Sequence, residues 1–492
     1  VKAIVRKPRT RLVRELCVAV VVAACFGFFA AAVGPLKGLV PVALLQAFLV
    51  LTSAAILVRS VAVSVSSLRQ GHGPKALGSA IFSAGILVAV ALPGAQLLSG
   101  SRESRLAILG FQPSNITADV SQAYAIFCLA LAAFFLGELI TSQTRVANTS
   151  TPRSSGGADT KLTYVVLIVM GLCVAYFAPL GDQQQAFSLR GEIQGEGLIA
   201  LLRWSLPLAV AIGLLRHHWH SKWFALVSLV ALAFTIEQGN RSPLLIIAVA
   251  LGLRLMARLQ KPGQSIKVIA VILVLGYAGA AVAVGVSAWR GHVIQGESTS
   301  LVGEVAQAST DPFSRLTNAG LDTLDGLILA TKADPKAVQA SWTDPSKVIT
   351  GFIPHQWWPN KPDWLANNIT EHYLGIGGGG LFLSGPGYAF VIFGGLIGVG
   401  ACFLILGGAS ALTFVRLRPA SIATTLLAYF LVRFFFGGGD AFDGFHVLGL
   451  ALVVCFATLV AGVVRRGLST APQTPATDPM PEQLSQSTHF QA

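Results

Sequence analysis

Twelve runs of mostly apolar residues, each about 20 residues long, divide the chain. They lie near 15–34, 40–58, 77–98, 119–141, 162–180, 197–215, 221–236, 243–257, 268–288, 382–408, 419–436 and 443–464. A helix of that length crosses the hydrocarbon core of a bilayer, and helices satisfy their own backbone hydrogen bonds where water is absent. The runs therefore predict an all-α fold: a polytopic membrane helical bundle of about 12 transmembrane helices. Charge is scarce enough to agree. Only 12% of the residues are Asp, Glu, Lys or Arg, against about 25% in soluble chains. The seventh and eighth runs are short and meet at Gln238-Gly239-Asn240-Arg241, which predicts a tilted or partly spanning pair.

The basic residues orient this bundle. With the N-terminus inside, 22 of the 35 Lys and Arg fall on the cytoplasmic side with four acids, and 11 fall on the outer side with 17 acids. Each cytoplasmic segment carries Lys or Arg, as the positive-inside rule requires. The net charge of +13 is then a topology signal, and it needs no nucleic-acid partner. The expected location is the cytoplasmic (inner) membrane, multi-pass, with both termini cytoplasmic. All six cysteines lie inside runs, where they act as small hydrophobes without disulfide or metal spacing. The first run reads as an uncleaved anchor, since eleven more follow it.

The expected organisation is a four-span N-terminal bundle (1–141), a polar cytoplasmic linker (142–160) and a five-span central region (161–288). A large outer loop (289–381), a three-span C-terminal region (382–465) and a disordered cytoplasmic tail (466–492) complete it. The outer loop is expected to be partly helical, because it holds five of the eight Trp, and long ordered loops carry function. Within it Phe313, Leu316, Gly320, Leu324 and Ile328 recur at helical spacing, with Arg315, Asn318, Asp322 and Asp325 opposite. That pattern predicts an amphipathic helix lying on the bundle mouth or the headgroup layer.

Candidate chemistry concentrates on the outer side. Arg190, Arg241 and Arg290 sit at the outer ends of runs, and the loop adds Arg315, His355 and Lys361. Guanidinium groups bind phosphate oxygens in bidentate fashion, so these residues suit an anion site at the membrane surface. They suit equally headgroup anchoring, or ion pairs with Glu192, Glu237 or Asp182. Arg203 and Arg433 fall within runs, where a charge faces a cavity or a partner. Asp440, Asp443 and His446 follow Arg433 just outside the run, and Arg433 can pair with Asp440 or contact a phosphate. The stretch Phe352–Pro362, with His355, Trp357, Trp358 and Lys361, combines three stiffening prolines with stacking aromatics. It reads as a sugar-binding site or as an interfacial aromatic belt. Hydrolase elbows, Walker loops, dinucleotide fingerprints and HExxH or Cys-x-x-Cys metal patterns do not occur, so no metal and no cofactor is expected.

Three segments carry a resemblance to a family. Gly239-Asn240-Arg241-Ser242-Pro243-Leu244-Leu245, the Ile353-Pro354-His355-Gln356-Trp357-Trp358-Pro359-Asn360-Lys361-Pro362 stretch, and Ser384–Gly395 with its Tyr388 resemble motifs of the Wzy-type O-antigen (oligosaccharide repeat-unit) polymerases. These are integral membrane glycosyltransferases, related to O-antigen ligases. The chain departs from the family at His355, where Arg is frequent, and at Pro386-Gly387, where a Glu often precedes the Tyr. An Arg-x10-Gly spacing discussed for some members occurs at Arg315…Gly326.

The resemblance implies transfer of a growing glycan from undecaprenyl diphosphate to a new lipid-linked repeat unit on the periplasmic or extracellular face. It implies no cofactor, because the donor is already activated. His355, Arg241 and Arg290 are then the expected catalytic residues. Arg190, Arg315, Lys361, Arg433, Trp357, Trp358 and Tyr388 are expected to bind sugar and diphosphate, with Asp440 and His446 as reserve acid/base groups. The implied partners are the undecaprenyl-diphosphate-linked oligosaccharide, the lipid bilayer, and a chain-length regulator and flippase of the same pathway. A ligase-like transferase with the same donor is the near alternative. A polysaccharide or lipid transporter is the alternative of a different class, disfavoured by the few ionisable residues at membrane depth.

Overall fold

The computed structural model describes residues 41–69, 74–101, 104–108, 115–143, 157–177, 201–216, 221–237, 242–258, parts of 274–300, 301–310, 323–333, 365–374, 383–417, 421–436 and 441–469. These residues form helices and turns, with no strand among them. The first half contains α1 (Val42–Arg69), α2 (Leu77–Ile86), a π-helical turn (Leu87–Ala91), α3 (Leu92–Leu98), α4 (Arg105–Ile108), α5 (Ile116–Gln143) and α6 (Gly157–Phe177). After these come α7 (Ser205–Leu215), α8 (Lys222–Glu237) and α9 (Ser242–Arg258). The loop region supplies α10 (Leu301–Thr310), α11 (Thr323–Lys332) and α12 (Leu365–Leu374). The C-terminal part is α13 (Ser384–Ile392), α14 (Gly395–Arg416), α15 (Ile422–Phe436) and α16 (Ala441–Ser469).

Five segments are long and apolar enough to cross a membrane: Val42–Leu68, Leu77–Leu98, Ile116–Thr141, Gly395–Arg416 and His446–Arg466. Shorter apolar helices fall at five of the other runs, and α8 and α9 are among them, as the abbreviated seventh and eighth runs predict. The run at 15–34, most of that at 268–288 and the tail beyond 469 lie outside the described residues. On α16, Leu452, Phe456, Leu459 and Val463 are exposed at i, i+4, i+7 and i+11, a continuous apolar stripe suited to lipid.

Two interruptions have local causes. Pro93 has no N–H, and its ring crowds the carbonyl one turn back. The helix widens just before it, into the π turn Leu87–Ala91, and Gln46 of α1 donates its side-chain amide to the Ala91 carbonyl at 3.3 Å. The apolar run at 382–408 is two helices, α13 and α14, separated at Gly394-Gly395. Both glycines have positive φ, 81° and 80°, a conformation that ends α13 and re-aims the chain.

Packing interleaves segments far apart in sequence. α5 lies along α14 with backbones nearly touching, and α15 crosses α2. Stacked and edge-on phenyl rings fill the space between them. Phe82 stacks on Phe435 at 4.2 Å and meets Phe134 edge-on at 5.9 Å. This larger core also takes in α1, α11 and α13, while a second joins α6, α7 and α16 to one face of α15.

The helix expected on the bundle mouth is instead inside the bundle. Its described part, α11, buries Thr323 through Ala330 without interruption, so it has no solvent face there. Asp325, expected on a polar face, is 1% exposed and accepts a hydrogen bond from Ser104 Oγ at 3.0 Å. Thr323 Oγ1 donates to the Phe436 carbonyl at 3.1 Å, and Lys332 Nζ pairs with Asp119 at 2.6 Å. Polar groups that the sequence pattern assigns to water are satisfied by partners from α5, α15 and the turn before α4.

Candidate functional site

Three elements meet at one end of the second core: the turn leading into α7, the last turns of α15 and the early turns of α16. At this turn Trp204 donates its backbone N–H to Leu201 and accepts from Leu208, so its indole is fixed as α7 begins. The indole is 4% exposed and meets the His446 ring at 4.5 Å, edge to face. Tyr429 of α15 lies 5.9 Å from Trp204 and 6.2 Å from His446. Arg433, one turn after Tyr429 on the same helix face, brings its charge to bear on the His446 imidazole. Arg203, buried at 8% exposure, adjoins Trp204 in sequence.

The cluster thus holds a guanidinium, an imidazole and two amphipathic rings, with a second buried guanidinium beside Trp204. Chemically, such a set can hold an anion, present an aromatic face to a sugar ring and accept a proton. It lies at the helix ends that the Lys and Arg distribution predicts to face outward. Sequence reading singled out Arg433 and His446 and missed Trp204 and Tyr429. The i, i+4 relation of Tyr429 to Arg433 and the adjacency of Arg203 and Trp204 were the available signals.

Arg290 ends a helix that includes residues 284–286 and 288–290, beside the largely buried Trp289. Burial lowers its guanidinium pKa from the ordinary value, although a guanidinium so far above neutrality stays charged. Beyond it, His292 contacts Glu297 through Nδ1 and lies 3.7 Å from Glu304 through Nε2.

Tyr388 is on α13, partly buried against the larger core, away from the Trp204 cluster. Its helix starts at Ser384, a fully buried residue with φ 63°, whose hydroxyl accepts the Gly387 N–H at 3.4 Å. A side chain at Gly385 would lie 2.7 Å from the Phe434 carbonyl, and one at Gly387 would press on Ala330 and Leu327 at 3.3 Å. Close packing between α11 and α15 therefore accounts for glycine at both positions, and for the departure from the family's acidic residue before the Tyr.

Of the predicted site residues, Arg433 and His446 are brought together, while Tyr388 and Arg290 stand on other elements. Arg190, Arg241, Arg315, His355, Trp357, Trp358, Lys361 and Asp440 lie outside the described residues. Among the described residues no group of three or more His, Cys, Asp or Glu is arranged to hold a metal ion. Comparison of the chain with protein-family models, with curated proteins and with solved structures finds no match.

Proposed function

We propose that the chain is a twelve-span inner-membrane glycosyltransferase that polymerises undecaprenyl-diphosphate-linked oligosaccharide repeat units on the outer face of the membrane. The observation that carries this reading is the convergence of Arg433, His446, Trp204 and Tyr429 at one end of α7, α15 and α16. That set supplies the three recognition chemistries a lipid-diphosphate sugar requires. The resemblance around Arg241, His355 and Tyr388 supports the same reading.

In the proposed reaction an acceptor hydroxyl of the incoming repeat unit attacks the anomeric carbon of the growing chain. The bond from that carbon to the diphosphate breaks, and its electron pair leaves with undecaprenyl diphosphate. Arg241, Arg290 and Arg433 stabilise the charge that develops on the leaving group, with Arg190, Arg315 and Lys361 contributing to the same anion-binding face. His355 accepts the hydroxyl proton, with Asp440 and His446 in reserve. Trp357, Trp358 and Tyr388 hold the sugars. No nucleotide, metal or redox group takes part in this proposed sequence, since the glycosyl donor carries its own leaving group.

The test uses purified protein, lipid-diphosphate repeat units and detergent, with products resolved on a gel without nucleotide or ion gradient. A ladder of products is expected, and Arg241→Ala, Arg290→Ala or Arg433→Ala should lower its rate by roughly 10²–10³-fold while insertion is retained. One added unit on a separate acceptor would reassign the protein as a ligase. Absence of product, with substrate moved across a liposome bilayer instead, would overturn the enzyme reading.

A further inference from the structure

We infer that His292 is a positioning residue for Arg290, acting as a proton-dependent clamp between the helix that carries Arg290 and α10. The inference rests on the proposed role of Arg290 in binding the diphosphate.

α10 runs back along that helix and is docked at three levels. Tyr277 donates its hydroxyl to the Ser309 carbonyl at 2.6 Å. Gly285 leaves no room for a side chain, because a Cβ there would lie 2.6 Å from the Val305 Cα. Nearest Arg290, the imidazole of His292 faces two carboxylates, Glu297 at Nδ1 and Glu304 at Nε2. The turn between the helices is closed by the Glu297 N–H donating to the His292 carbonyl at 2.9 Å. Ser300 caps α10, its hydroxyl accepting the Gly303 N–H at 3.0 Å.

A neutral imidazole has one N–H, so it can donate to one carboxylate while its other lone pair opposes the second. The imidazolium donates from both nitrogens and matches both acids. Only the protonated ring therefore satisfies the observed arrangement at both ends. Among the described residues, Glu297 and Glu304 are the acids facing the ring, and both favour the cation. Arg290, two residues earlier on the same helix, opposes it by like charge. Glu304 is 12% exposed at its side chain and Glu297 53%, so protons reach the ring through the Glu297 side. Protonation holds the end of the Arg290 helix against α10, and loss of the proton frees it.

Two measurements test the clamp, both on the full chain in detergent at about pH 5.5 and about pH 8.5, on either side of the ordinary imidazole value. In a background with the native cysteines replaced, spin labels at Val293→Cys and Val302→Cys report the separation of the two elements. With His292 present, a narrow distance distribution is expected at the lower pH and a broad one at the higher. His292→Lys should be narrow at both and His292→Gln broad at both. The second measurement is calorimetric binding of undecaprenyl diphosphate. The ratio of wild-type to His292→Lys affinity cancels the ligand's own titration, and it should fall about tenfold from the lower to the higher pH. Label distances indifferent to pH and to His292→Gln would overturn the clamp. Distances that respond while the affinity ratio stays flat would overturn its positioning of Arg290. Arg290→Ala binding undecaprenyl diphosphate as tightly as wild type would instead remove the diphosphate reading beneath it.

Discussion

At the scale of single residues, the polar groups inside this apolar chain show what each buried charge needs. Glu138, 4% exposed on α5, is the clearest case. Ser79 of α2 gives it two hydrogen bonds, from the backbone N–H at 3.1 Å and from the hydroxyl at 2.5 Å. Gly78 makes room for the carboxylate, since a Cβ there would lie 2.8 Å from Oε1. Arg59 of α1, whose guanidinium lies 4.7 Å from the Phe135 ring centre, adds an attractive charge from a third helix. Ser79→Ala removes the hydroxyl donor and leaves a buried acceptor short of a partner, which costs about 1–3 kcal/mol. The purified protein should therefore melt at a lower temperature. Ser79→Ala combined with Glu138→Leu removes both sides of the contact and should melt above the single variant. A double variant that melts below the single would show that Glu138 has a further stabilising role. The glutamate was visible in the sequence as an acid within an apolar run. Its serine partner was not, because a serine in a transmembrane helix carries no mark of which neighbour it faces.

At the scale of elements, hydropathy made the helices legible and left their contacts unreadable. The runs at 119–141, 221–236 and 243–257 correspond within a few residues to α5, α8 and α9. The run at 382–408 misled, because Gly394 and Gly395 are flanked by apolar residues and the break is a change of φ, to which hydropathy is blind. The glycines of α14 were equally visible, but the packing they permit depends on the register of a partner helix 260 or more residues away in sequence. A Cβ at Gly407 would lie 2.0 Å from the Phe134 carbonyl oxygen, and one at Gly137 would lie 2.1 Å from that of Leu404. Backbone approach of this kind is how helices associate in lipid, where dispersion and weak hydrogen bonds replace the hydrophobic drive. Gly407→Leu cannot be accommodated by a rotamer change, since the obstacle is backbone. It should force α5 and α14 apart and leave the protein aggregated in size-exclusion chromatography. Gly462→Leu on α16 meets nothing within 4 Å, so it should elute as the wild type does. Equal behaviour of the two variants would mean that α5 and α14 are not in contact.

At the scale of the whole molecule, the chain closes on itself across its longest connection. The loop that hydropathy assigns to the outer side returns a helix to the bundle, and α11 is fixed there by residues from three distant places: Ser104, Asp119 and Phe436. Periodicity read the region of α11 as amphipathic because Asp325 and its neighbours looked like a water-facing side. That inference fails where a protein supplies the partners that water otherwise would. Much of the candidate site was hidden for a related reason: Arg433 and His446 could be named from sequence, but their meeting with Trp204 depends on α7 and α16 packing side by side. The Lys332–Asp119 pair is the outermost of the α11 contacts, with Asp119 buried and Lys332 about one-third exposed. Asp119→Ala removes the carboxylate and leaves the ammonium able to reach solvent. Its cost should therefore be about 1 kcal/mol, nearer to a surface pair than to a fully buried one. Global stability moves little under that change, but α11 is held at this end by one ion pair, and local opening is governed by such contacts. Ala330→Cys, at a position 1% exposed, reports that opening through its reaction with a membrane-impermeant maleimide in a background without the native cysteines. Labelling should be slow with Asp119 present, and about fivefold faster with Asp119→Ala, the factor that 1 kcal/mol of opening free energy implies. Rapid labelling in both would mean that α11 lies on the surface, as the periodicity of its sequence predicts.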